Sequence, residues 1–160
     1  MLMRTKISLF LLLVGCIWSI GIGSALADNS NFLLSQTNNN SLGKELYLEN
    51  CGSCHLPLPA EVLPTRSWEN ILNNSQNHYG VALPTSVKVT ARLMWTYLKQ
   101  HSRPYPPGAT IPQYVTNSRY LKALHPQVEL PEPAGHQTCL QCHPSATKLD
   151  YRSLSAEWLE

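Results

Sequence analysis

Apolar residues along the chain fall into one block followed by several helical stripes. Ile7 to Ile20 is an apolar run, followed by the small residues of Ala25-Leu26-Ala27. Asp28 to Asn40 is polar and Asn-rich, with a short apolar interruption at Phe32-Leu33-Leu34. It reads as a flexible linker. From Ser41 to Cys54 the pattern becomes helical, with Leu42, Leu46 and Cys51 on or near one face and Tyr47 beside it. The run Leu56-Pro-Leu-Pro-Ala-Glu-Val-Leu-Pro-Thr65 cannot continue a helix and predicts an extended wrap. Arg66 to Asn77 is helical again, with Trp68, Ile71 and Leu72 as its stripe and Ser67 as N-cap. It ends at His78-Tyr79-Gly80, where Gly80 suits a helix C-terminus. Pro84 to His101 is the longest periodic segment, and Val87, Ala91, Met94, Trp95 and Leu98 form its buried stripe. Arg103-Pro-Tyr-Pro-Pro-Gly108 stops it. A short helix over Thr116 to Ala123, an irregular Pro- and Glu-rich stretch from Val128 to Gly135 and a helical turn over Leu154 to Leu159 complete the chain. No strand pattern stands out, so the expected fold is mainly α with irregular Pro-rich connections.

The N-terminal block changes the compartment. Arg4 and Lys6 precede the apolar run and a small-x-small site precedes Asp28, which is the layout of a cleaved secretory signal peptide. Two alternatives read the same residues as an uncleaved membrane anchor, or as a lipobox, Leu13-Val14-Gly15-Cys16, lipidated at Cys16. Membrane association is expected only in those two cases. The expected location is outside the cytoplasm: the periplasm, or the thylakoid lumen in a photosynthetic bacterium. Cleavage removes Arg4 and Lys6 from a formal net charge of +2, leaving the mature chain near zero. A near-neutral chain lacks the basic surface a nucleic-acid partner needs.

Cysteine carries the chemistry. Without Cys16, the five cysteines become four, and all lie in two copies of one pattern: Cys51-Gly-Ser-Cys54-His55 and Cys139-Leu-Gln-Cys142-His143. Cys-x-x-Cys-His is the attachment run of a c-type haem. Its two thiols add to the haem vinyl groups, and the adjacent histidine is delivered to the iron. Cys51, Cys54, His55, Cys139, Cys142 and His143 are therefore the expected cofactor-binding residues for two covalently attached haem c groups. A single structural zinc site is the first competing reading, but the pairs are far apart in sequence and zinc explains neither trailing histidine. Disulfides are the second, and a Cys-x-x-Cys bridge closes a loop too small to gain much from loop entropy. Each porphyrin also adds a large flat apolar surface, so a small Pro- and Asn-rich chain can fold around its cofactors where its polypeptide core alone would be marginal.

The sixth iron ligand decides function. Haem iron opposite a histidine takes Met, His or nothing. Met94 is the one methionine of the mature chain, and its place within a helical stripe points to packing. The remaining histidines are His78, His101, His125 and His136. His78 closes a helix beside a glycine, and His125 precedes a proline that holds the backbone extended. His101 reads as a cation at a helix C-terminus. His136 reads as a loop histidine or a propionate partner. His78 and His125 thus stand ahead as distal ligands.

The combination resembles the bacterial dihaem cytochrome c family. The resemblance rests on Cys51-Gly-Ser-Cys-His55 with its proline-rich run to Leu63-Pro64, Ser67-Trp68, His78-Tyr79-Gly80 with Ala82, Tyr97-Leu98, His125, and Cys139-Leu-Gln-Cys-His143 with Ala146. Gly43-Lys-Glu-Leu-Tyr47 before Cys51 also resembles the opening helix of small class I cytochromes c, where the glycine permits close helix contact and the aromatic packs beside the haem. The resemblance implies a small helical dihaem cytochrome with two haem-binding lobes and two low-potential haems. It also implies two histidines on each iron, His55 and His143 with His78 and His125. It departs at His101, where a small polar residue is expected. The expected domains are a signal peptide (1–27), a linker (28–40), an N-terminal haem domain (41–103) and a C-terminal haem domain (104–160). The expected function is electron transfer rather than enzymatic catalysis. Its partner is another redox protein, which in related proteins is an oxygen-binding monohaem cytochrome or a membrane electron-transport component. The alternative is a haem enzyme or gas sensor with one open distal site, acting on peroxide, nitric oxide or a nitrogen oxide.

Overall fold

The computed structural model describes residue 35 and residues 37–158. The expected signal peptide, its readings as an anchor or lipidated Cys16, and most of the expected linker lie outside the described residues. The chain divides into two units, and the description that follows concerns the second, Asn39–Glu160. Its first helix, α1, runs over 37–51, so the segment expected as linker is already helical in its last residues. The other helices are α2 (Thr65–Asn73), α3 (Thr85–His101), α4 (Arg119–Leu124) and α5 (Cys139–Cys142). Short 3-10 turns occupy Ala60–Val62, Val115–Asn117, Ala146–Lys148 and Ala156–Trp158. Among the described residues there are two isolated bridges, Pro64 with Arg103 and His78 with Val81, and no strand. No helix of the described residues is long and apolar enough to cross a membrane.

The α3 stripe supplies the core. Val87, Met94, Tyr97 and Leu98 are buried there and pack with Tyr47 of α1 and with Trp68 and Leu72 of α2. Met94 is fully buried, as packing at its position in the stripe requires. α1 crosses α3 closely at Gly43, where an added Cβ would lie 2.4 Å from the Leu93 carbonyl oxygen.

The proline run after His55 is more than a surface wrap. Leu58, Ala60, Val62 and Leu63 are buried in the same cluster. A buried irregular segment must satisfy its carbonyls without a ladder. Three aromatic side chains do this: Tyr47 Oη donates to Leu58 O (2.7 Å), Trp68 Nε1 to Ala60 O (2.8 Å) and Tyr151 Oη to Pro57 O (2.8 Å). The prolines have no N–H left to satisfy, which makes burial of this run cheaper than burial of an ordinary loop.

Three local expectations change. α2 stops at Asn73 instead of reaching Asn77, because Asn73-Asn74-Ser-Gln-Asn77 offers side chains that compete with the helix for backbone partners. Gly80 therefore closes no helix. With Tyr79 (φ 52°) and Gly80 (φ 93°) at its centre, the segment His78–Val81 is a tight reverse turn, and Gly80 N donates to Asn77 Oδ1 (2.9 Å). Ser67 is not an N-cap. α2 begins at Thr65 behind Pro64, and the buried Ser67 hydroxyl donates to Pro112 O at 2.9 Å. The helix expected over Thr116 to Ala123 is split into the 3-10 turn and α4, whose N-cap Ser118 accepts from Tyr120 N.

Candidate haem sites

The first Cys-x-x-Cys-His run is launched by α1. Cys51 is the last helical residue, Gly52 N donates back to Leu48 O at 3.0 Å, and residues 52–54 turn the chain toward His55. Burial pushes the Cys51 thiol up to about 12, with Cys54 adding to the effect. The second run forms the short helix α5, Cys139–Cys142, closed by His143 N to Cys139 O at 2.9 Å. Burial likewise raises the Cys139 thiol. None of the four cysteines is in a disulfide, and they stand as two separate pairs. Among the described residues no three His, Cys, Asp or Glu side chains converge as a bare metal site would need.

The histidines sort into pairs. His55 lies 6.1 Å from His78 between ring centres, with ring planes 18° apart. His143 lies 6.1 Å from His125, with planes 67° apart. A first-row metal binds an imidazole nitrogen at about 2.0–2.1 Å, and two such bonds plus two half-rings place the centres roughly 6 Å apart. Both separations therefore fit one iron between two imidazoles. The tautomers fit as well. His55 Nδ1 donates to Leu56 O (2.9 Å) and His125 Nδ1 to Leu121 O (2.8 Å), which leaves each Nε2 with its lone pair free for a metal. Burial lowers the pKa of His78, and His55 lowers it further, which favours the neutral, metal-binding form. Burial and then His125 do the same to His143.

The first histidine pair borders open space on both sides, at His55 and at His78. A cleft of about 780 Å³ is lined in part by Cys54, His55, Pro57, His136, Thr138 and Leu140. It joins the two attachment runs. Another of about 640 Å³ lies against Ser67, Asn70, Asn74, His78, Tyr79 and Gln113. Both fall within the volume range of small-molecule and cofactor pockets.

The other two histidines part company. His101 ends α3, its ring 4.7 Å from Tyr97, and Asn40 Nδ2 donates to its Nε2 at 3.2 Å. Its lone pair is taken and it joins neither pair. His136 stacks on His55 at 4.2 Å and 27°, with Nδ1 buried and unpartnered. Sequence reasoning left it as a loop residue or a propionate partner. The contact depends on how the chain before α5 folds back, for which the linear sequence holds no signal. Tyr151, which sequence reasoning did not single out, lies 5.3 Å from the His143 ring and donates to Pro57 O of the first half.

Residues 47–151 match the family model of dihaem cytochrome c. The chain is also similar to a solved structure, the X-ray structure of a dihaem cytochrome type c from Shewanella baltica OS155. The two share 31% identity over 66% of this chain and 85% of that one, with a TM-score of 0.45. No curated protein matches the chain. The match over 47–151 spans both attachment runs, both histidine pairs and the core between them, and the family implies two haem c groups. This chain, a haem-binding cytochrome, belongs to the dihaem cytochrome c family.

Proposed function

We propose that the protein is an exported electron carrier, passing electrons to or from another redox protein through two haems that each have two histidine ligands. His55 and His78 hold the first iron; His143 and His125 hold the second. The observation that carries this reading is the 6.1 Å separation in both pairs. Bound haem supplies the one-electron couple of its iron. The residues do the rest. Two imidazoles on each iron, His55 with His78 and His143 with His125, would leave no seat for a substrate and would keep the ligand set the same in both oxidation states. Imidazole in place of a thioether sulfur favours the ferric form and so lowers the potential. The Leu56 and Leu121 carbonyls fix the ring tautomers of His55 and His125.

Carbon monoxide binding to the reduced holoprotein tests the reading. The unmodified protein is expected to keep its low-spin spectrum. His78→Ala and His125→Ala are each expected to open one haem to carbon monoxide and leave the other closed. A carbon monoxide complex in the unmodified protein would instead favour the haem enzyme or gas sensor. Unchanged spectra in both variants would remove His78 and His125 as ligands.

A further inference from the structure

His136 belongs to neither ligand pair, yet it is the ring packed closest to a candidate ligand. Its centre lies 4.2 Å from that of His55 with the planes 27° apart, a stack closer than the usual aromatic pair at about 4.5–7 Å. It sits three residues before Cys139, so the contact brings the approach to the second haem against the ligand of the first.

A ligating imidazole can swing about its bond to iron unless something sets its plane. At His55 the Nδ1 bond to Leu56 O is a bond to the next residue along the chain, so its anchor moves with the same local backbone. A stacked ring is an anchor from a distant segment, and it resists rotation because turning His55 would drive its edge into the His136 face. The second site has no equivalent. His143 has His125 at 6.1 Å and Tyr151 at 5.3 Å, the latter tilted by 56°, and its Nδ1 is buried without a partner. The two pairs differ accordingly: near-parallel planes at His55/His78 and crossed planes at His125/His143.

We propose that His136 is a positioning residue for the first haem, setting the plane of His55 by ring stacking and thereby making the two irons electronically distinct. The inference rests on the bis-histidine reading above. Near-parallel imidazoles split the two iron d orbitals that overlap the imidazole π systems and give a resolved rhombic low-spin signal. Crossed imidazoles leave those orbitals nearly degenerate and give a strongly anisotropic one.

The test is electron paramagnetic resonance of the oxidised holoprotein, with haem content measured alongside. The unmodified protein is expected to show one signal of each type. His136→Ala and His136→Gln are expected to shift the rhombic signal toward the anisotropic type and leave the other unmoved. His136→Phe keeps a stacking ring without a titratable nitrogen and is expected to restore the rhombic signal. Should the Ala variant fail to load two haems, the Gln and Phe pair carries the comparison. A rhombic signal unmoved in the Ala or Gln variants, equally moved in Phe, or missing from a fully low-spin unmodified protein would overturn the proposal. A high-spin unmodified protein would instead overturn the ligand assignment beneath it.

Discussion

The close crossing of α1 and α3 rests on one missing methyl group. At Gly43, a Cβ would stand 2.4 Å from the Leu93 carbonyl oxygen and 3.1 Å from both Thr96 Oγ1 and Tyr97 Cβ, whereas ordinary contact lies at 3.4–4 Å. Relief at Leu93 thus needs a shift of about 1 Å, and because the clashing atom is backbone, no rotamer change supplies it. The whole helix must move. Opposing this, Gly→Ala inside a helix gains roughly 0.5–1 kcal/mol from propensity. Overpacking a tight contact costs typically about 1–3 kcal/mol, and an obstruction by a backbone carbonyl with two side-chain atoms close beside it belongs at the upper end. Gly43→Ala is therefore expected to lose about 2 kcal/mol net, read as a lowered midpoint in urea denaturation of the holoprotein at unchanged slope. α1 ends in Cys51, so the same shift is expected to lower the yield of fully attached first haem, read as haem per chain. Gly135→Ala is the control. Its added Cβ meets nothing nearer than 4.0 Å, and its loss of unfolded-state freedom is expected to stabilise by roughly 0.4–1 kcal/mol. A Gly43→Ala protein as stable as the unmodified one would refute the close-crossing argument.

Met94→Leu is expected to cost less than about 1.5 kcal/mol and to leave the optical spectrum unchanged in both oxidation states, since Met94 is a packing residue at 0% exposure. Loss of a low-spin haem in that variant would make it a ligand. Tyr47→Phe keeps the edge contact with Trp68 but strands the buried Leu58 carbonyl; a loss of about 1–3 kcal/mol in urea denaturation is expected, with no change in haem absorbance. Acid is expected to weaken the protein. His78, His136 and His143 all have pKa values lowered from 6.5, chiefly by burial, so the folded chain binds fewer protons than the unfolded chain below that value. Their contribution is complete above 6.5 and declines as pH falls through it, and iron ligation acts in the same sense. The urea midpoint at about pH 5 should lie below that at about pH 7.5, with low-spin absorbance giving way to high-spin; a midpoint rising toward acid would contradict this.

The linear chain determined the chemistry and the helices. Cys-x-x-Cys-His is readable because attachment depends on covalent spacing among five consecutive residues, which folding does not alter. α3 is readable because its stripe repeats over nearly five turns, and a long period overrides local ambiguity. The closeness of α1 to its neighbour was legible through Gly43, since only a residue without a Cβ tolerates it. The end of α2 was not legible, because the helix stripe runs into an Asn-rich tail whose side chains compete for backbone partners, and the period alone does not say where they win. The burial of the proline run was also hidden. It depends on donors from Tyr47, Trp68 and Tyr151, and Tyr151 is 94 residues from the carbonyl it satisfies. Histidine fates divide on the same line. His101 and His136 look alike in sequence, each an unclaimed imidazole beside a helix end or loop. Only the tertiary structure sets one against Tyr97 and Asn40 and stacks the other on His55, because which ring meets which is fixed by chain segments that are distant in sequence.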